Sequence, residues 1–150
     1  MKHPIPSLSK KELIQKLRAI EEFKNIEEST LEWVVEQSEL NVYEKGDTLF
    51  RPGEPADEML ILLTGELALY RPQNNELFSV GSIEAPGVSG VLPFSRMTHA
   101  TGLGKVLQDT ILLRLHKKHF TEMVNRSYPL VQSLVANMLD RTRNFTQSRV

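Results

Sequence analysis

The sequence predicts a mainly β fold with helices at both ends, an antiparallel sandwich or roll set between two helical segments. Three observations predict it. Capping signals and helical spacing of apolar residues are confined to residues 1–39 and 116–150. Over residues 40–115, short apolar runs alternate with Gly, Pro, Asn and Asp turns every eight to ten residues, a spacing too tight for βαβ units. Cysteine is absent, which removes disulfide frameworks, thiolate metal sites and cysteine nucleophiles, so the fold rests on its core.

The elements follow in order. Ser9 with Glu12 forms a capping-box pattern, and Leu13, Ile14, Leu17 and Ile20 recur at helical spacing, predicting a helix over 10–21. Ser29 with Glu32 predicts a second helix carrying Leu31, Val34, Val35 and Trp33, with Phe23 and Ile26 packed between the two. Residues 40–115 then read as strands: LNVY, TLF, MLILL, ELALY, LFSVGSI and GKVLQDTILLRL, punctuated by Gly46, Gly53, Gly65 and the RPQNNE stretch. The segment EAPGVSGVLPFSRMTHATG is dense in Gly, Pro, Ser and Thr yet holds Val88, Val91, Leu92 and Phe94, too apolar for a plain solvent loop. HKKHFTEMVNR predicts a short helix, and Pro129 a first-turn residue of a longer one. Leu130, Val131, Leu134, Val135, Met138 and Leu139 make that last helix amphipathic, with a stripe that continues towards Phe145 without a stop signal.

At 150 residues the chain has room for one domain, 1–150. Its parts are a helical lead-in (1–39), the β region (40–115) and C-terminal helices (116–150). The formal charge of −1 implies no whole-chain field for nucleic acid or an anionic membrane. The charge is uneven, with seven bases against two acids from Arg114 onward and eight acids against four bases between Gly46 and Leu113. Solvated helix faces account for the basic end. The N-terminus lacks the apolar stretch of a secretory signal and no run suffices for a membrane span, so a cytoplasmic location is expected.

The order of elements, with the run YEKGDTLFRPGEPADEMLILLTGELALY over 43–70, resembles the cyclic-nucleotide-binding domain of the catabolite activator protein and of protein kinase A regulatory subunits. The resemblance covers residues 8 to 145 and implies an eight-strand antiparallel β-roll, a double-stranded jelly roll, flanked by helices. It also implies a regulatory module without catalysis, which binds a cyclic nucleotide, cAMP or cGMP, or another small anionic ligand. The signal would pass through the C-terminal helix to an effector domain beyond this chain. The LPFSRMT run is similar to N-terminal domains of bacterial sensor histidine kinases, which makes a kinase the expected effector.

In that family a phosphate cassette lies before the last strands, here over 84–102. A cyclic phosphate wants free backbone N–H groups at a helix start and a guanidinium, while a carboxylate accepts the ribose hydroxyl. The resemblance places Gly87, Ser89, Gly90 and Val91 at the turn and helix start. It makes Arg96 the phosphate anchor and Thr98 or Thr101 the hydroxyl. Ser89 and Gly90 stand where the family has Gly-Glu, so the carboxylate is missing. Loss of a charge-assisted hydrogen bond weakens binding about ten- to a hundredfold. The alternative expectation is therefore a roll without ligand, acting as a dimerisation or docking domain, with the outer part of the last helix's stripe as a dimer seam.

Other chemistries fit less well. His99 is the one histidine in 40–115, too few for a cupin-type metal centre, and His116 with His119 lack a third ligand nearby. No helix-turn-helix fits after Phe145, so direct DNA contact is not expected.

Overall fold

The computed structural model describes Pro4 and residues 6–136. Helix α1 (Lys10–Arg18) starts at the predicted capping box. The Ser9 hydroxyl accepts from the Glu12 N–H at 3.1 Å, and the Glu12 carboxylate accepts from the Ser9 N–H. The helix is three residues shorter than predicted, because turns from Ala19 carry the chain on while still burying Ile20 and Phe23. Helix α2 (Glu28–Gln37) corrects the second prediction. Its N-cap is Glu27, which makes no side-chain cap, and Ser29 lies inside the first turn. Burial of Leu31, Trp33 and Val34 holds this helix where capping does not.

Six strands follow: β1 (Glu39–Tyr43), β2 (Thr48–Phe50), β3 (Glu58–Gln73), β4 (Glu76–Glu84), β5 (Gly87–Gly90) and β6 (Leu103–His116). All pairings are antiparallel. The roll has fewer named strands than the eight segments expected because β3 and β6 run through their bends as long strands. β3 takes β5 as its neighbour before the bend and β4 after it. The bend falls at Gly65, where the β3–β6 register shifts between Leu62 and Leu67. Gly65 has φ +96°, and a Cβ there would lie 2.7 Å from the Thr110 Cα, so no side chain fits. The Thr64 hydroxyl accepts from the Ile111 N–H at 3.1 Å, satisfying an amide that the bulge displaces from the ladder. The RPQNNE stretch closes the β3–β4 hairpin with Asn74 and Asn75 both at positive φ, the conformation of a type I′ turn.

The 3₁₀ turn Lys117–His119 leads into α3 (Phe120–Arg126), and residues 128–136 are helical again, with the Ser127 hydroxyl accepting from the Leu130 N–H. Pro129 sits in the first turn as predicted. Leu130, Val131 and Leu134 are buried and Val135 is partly so; Met138, Leu139 and Phe145 lie outside the described residues.

Alternation along β3 and β6 divides the core in two. Met59, Ile61, Leu113 and Leu115 pack with α1, α2, α3 and the 128–136 helix, while Leu60, Leu62 and Leu112 face into the roll. The register pairs Met59 with Leu115, Leu60 with Arg114 and Ile61 with Leu113. The two strands thus form a wall with the helices on one face and the roll interior on the other.

Candidate functional site

A cavity of about 560 Å³ lies on the roll side of that wall. Phe50, Leu60, Leu69, Val80, Met97 and Leu103 supply its apolar surface, and Tyr70, Ser89, Ser95 and Thr101 place hydroxyls on it. Its charged lining is Asp57 and Glu58 against Arg71 and Arg114.

The cover of the cavity is built by backbone bonds between two loops. The Gly53 N–H donates to the Ala100 carbonyl at 2.8 Å, the Ala100 N–H to Glu54 at 2.8 Å, and the Ala56 N–H to Thr98 at 2.9 Å. These tie the 51–57 loop to 98–100. Before that tie the chain turns at Pro93–Phe94, with the Ser95 N–H donating to the Leu92 carbonyl at 3.0 Å. Phe94 sits at the tip of this turn with φ +68° and 72% exposure, an unusual backbone state for an aromatic residue. Beyond it the side chains alternate. Ser95 and Met97 enter the lining, and Phe94, Arg96 and Thr98 are exposed and outside it.

Three charges of the lining are paired within the chain. Arg114 Nε meets Glu58 Oε1 at 3.0 Å, and its Nη1 donates to the Tyr43 hydroxyl, with the guanidinium 6.0 Å from the Tyr43 ring centre. Asp57 meets Lys117 Nζ at 3.1 Å. Arg71, exposed at the rim, has no partner among the described residues.

The structure brings together only some of the residues expected from the sequence. Ser89, Gly90 and Thr101 line the cavity; Gly87, Val91, Arg96 and Thr98 do not. The predicted helix start over 87–91 is replaced by β5, which pairs with β3 from Leu62 to Met59 and buries Ser89 in the wall. Arg96 is exposed between the lining residues Ser95 and Met97, where the Met97 N–H donates to the Ser95 hydroxyl. Thr98 Oγ1 lies 3.0 Å from His99 Nδ1 at the surface. Glu66, which repeats the Gly-Glu motif in letters, is on the outer face, accepting from Ser82 Oγ at 2.9 Å and Gln108 Nε2 at 3.3 Å. The sequence reading missed Phe50, Leu69, Tyr70, Arg71, Val80 and Arg114. Their signal was the alternation of ELALYR and ILLRL, which assigns faces without saying that the faces converge.

His116 caps the 3₁₀ turn, its Nδ1 accepting from the Lys118 N–H at 3.0 Å, and His119 packs edge-on against Trp33 at 6.3 Å. Among the described residues no group of three or more His, Cys, Asp or Glu is arranged to hold a metal ion. Nor, among those residues, is any helix long and apolar enough to cross a membrane.

The antiparallel roll, its flanking helices and the cavity on the roll side of the wall define the architecture. Residues 40–127, more than half of the chain, match the model of the cyclic nucleotide-binding domain, and the chain belongs to that family. The chain is similar in structure to the sensor domain of the transcriptional regulator DNR from Pseudomonas aeruginosa, at TM-score 0.76 and 19% identity over 92% of this chain and 93% of that one. A regulatory subunit of a cAMP-independent protein kinase A from Trypanosoma brucei is similar at TM-score 0.78 and 17% identity, over 93% of this chain and 51% of that one. The catabolite activator protein of Thermus thermophilus is similar at TM-score 0.73 and 15% identity, over 85% and 60%. The chain thus spans half to three-fifths of the latter two proteins. A comparison with curated proteins found no match.

Proposed function

We propose that this chain is a sensor module. A small molecule occupies the roll cavity, and its presence is passed through the β3–β6 wall to α3 and the 128–136 helix, and from there to an effector domain. The observation that carries this is the shared wall. Leu60 and Arg114 face the cavity while their neighbours Met59, Ile61, Leu113 and Leu115 pack against the helices. A shift of a few tenths of an ångström at Leu60 or Arg114 must be taken up on the helical side, since close-packed interiors transmit strain. cAMP and cGMP are the first ligands to test, because the family model matches. A histidine kinase core remains the effector proposed from the LPFSRMT run.

Calorimetric titration with both cyclic nucleotides, beside an Ala100→Trp variant that fills the cavity, tests the module. Saturable heat with the unmodified chain and none with the variant supports a cyclic nucleotide in the cavity; no heat with either nucleotide excludes it as the occupant and leaves the cavity to a small molecule of different chemistry. The second reading, a roll that serves for dimerisation or docking without a ligand, is favoured by one observation: three of the four charges in the lining are already neutralised within the chain.

A further inference from the structure

The charge accounting of the cavity sets the chemistry of its occupant, given the proposed reading of that cavity as the ligand site. Glu58 cancels Arg114, and Lys117 cancels Asp57. The carboxylates that would accept sugar hydroxyls are therefore held by cations of the chain, and the guanidinium that would meet a phosphate deep in the roll is held by Glu58 and Tyr43. Breaking the Glu58–Arg114 pair for a ligand leaves a partly buried charge to be satisfied, whereas the more exposed Asp57–Lys117 pair is held less firmly. What remains inside is apolar surface from Phe50, Leu60, Leu69, Val80 and Met97, with hydroxyls at Ser89 and at Ser95, which accepts from the Met97 N–H, while Thr101 is exposed. The one lining charge without a partner among the described residues is Arg71, and it stands at the exposed rim. It sits on β3 across from Phe78 of β4, one residue past the last β3–β6 pair at Tyr70 and Leu103, so its backbone is held by one ladder while its head reaches solvent.

We infer that the cavity selects an amphipathic monoanion, a molecule with an apolar body inside the roll and a single acidic group at the rim on Arg71, in preference to a cyclic nucleotide. The volume of about 560 Å³ suits a body of two or three rings or a folded aliphatic chain. Specificity follows from two terms: burial of the apolar body, and one charge-assisted hydrogen bond in a place where water competes for it.

The test uses a matched pair of fluorescent probes, 1-anilinonaphthalene-8-sulfonate and the uncharged N-phenyl-1-naphthylamine, with cAMP as competitor. Both probes are expected to bind saturably at one site and to be lost from Ala100→Trp; Ser95→Trp serves as a second blocking variant should the first disturb the fold. Arg71→Gln is expected to weaken the sulfonate about three- to tenfold and to leave the uncharged probe unchanged. Millimolar cAMP should displace neither. If the sulfonate binds in the cavity but is indifferent to Arg71→Gln, or if micromolar cAMP displaces it, the amphipathic-anion inference is overturned while the sensor cavity stands. If no probe or nucleotide binds in a manner sensitive to either blocking variant, the cavity is not a ligand site and both readings fall.

Discussion

Exchanging Glu58 for glutamine keeps the shape of the lining and removes one charge from it. The Glu58–Arg114 pair is 3.0 Å long, with side chains 30% and 25% exposed, so it lies between a surface pair and a buried one. Surface pairs contribute about 0–1 kcal/mol, and stripping one partner from a buried pair costs about 3–5 kcal/mol. A loss of about 1–2 kcal/mol follows for Glu58→Gln, or about 3–6 °C in Tm for a domain of this size. The Tyr43 hydroxyl retains Arg114, which keeps the loss at the lower end of that span. Urea unfolding followed by fluorescence of Trp33, the sole tryptophan and 4% exposed, reads the stability directly. A double-mutant cycle with Arg114→Gln should give a coupling of about 1 kcal/mol. The same exchange frees a guanidinium inside the cavity, so the affinity for 1-anilinonaphthalene-8-sulfonate should rise several-fold while stability falls. Stability within about 0.3 kcal/mol of the parent, together with unchanged probe affinity, would refute the claim that this pair neutralises the cavity.

Arg96→Ala should leave probe and nucleotide affinity unchanged in the same titrations, because its side chain lies outside the lining; a tenfold loss would restore it as an anchor. Gly65→Ala should cost at least about 2–3 kcal/mol in urea unfolding, since the added Cβ meets the Thr110 backbone at 2.7 Å with φ at +96°. Ser9→Ala should cost about 1 kcal/mol through the lost capping box, and leave ligand affinity alone because α1 does not reach the cavity. Leu130→Ala, at a fully buried position of the helical cluster, should cost about 2–5 kcal/mol and lower the Tm of the helical side and the roll together, which differential scanning calorimetry would show as one transition.

Local signals in the sequence translated into local structure. Ser9 and Glu12 form the box that their spacing predicts, and Gly46, Gly53 and Gly65 all take positive φ. The strands fall where LNVY, TLF and MLILL place them. Ser29 misled because a capping box is a local hydrogen-bond pattern, whereas the start of α2 is decided by which residues the roll buries. The helix start expected at 87–91 is absent for a similar reason. GVSG has the glycines of a turn, but an unpaired edge of β3 lies beside it, and Val88 and Ser89 gain a ladder and burial by extending. After the turn at Pro93–Phe94, which of Ser95, Arg96 and Met97 point inward is set by the long-range tie of the 51–57 loop to 98–100, and no local signal in the sequence states it. The cavity as a whole was hidden because Phe50, Arg71, Met97 and Arg114 are far apart in sequence and meet only through the pairing of β2, β3 and β6 and the tie between the 51–57 loop and 98–100.

The coupling of cavity to helices is tested most directly by amide hydrogen exchange with and without a saturating cavity ligand, in the parent and in Ala100→Trp. Slower exchange is expected on both faces of the wall in the parent, at Leu60 and Arg114 and also at Leu115, Met123 and Leu130, with no change in the variant. Protection confined to the cavity lining, with α3 and the 128–136 helix unaffected at saturation, would contradict it.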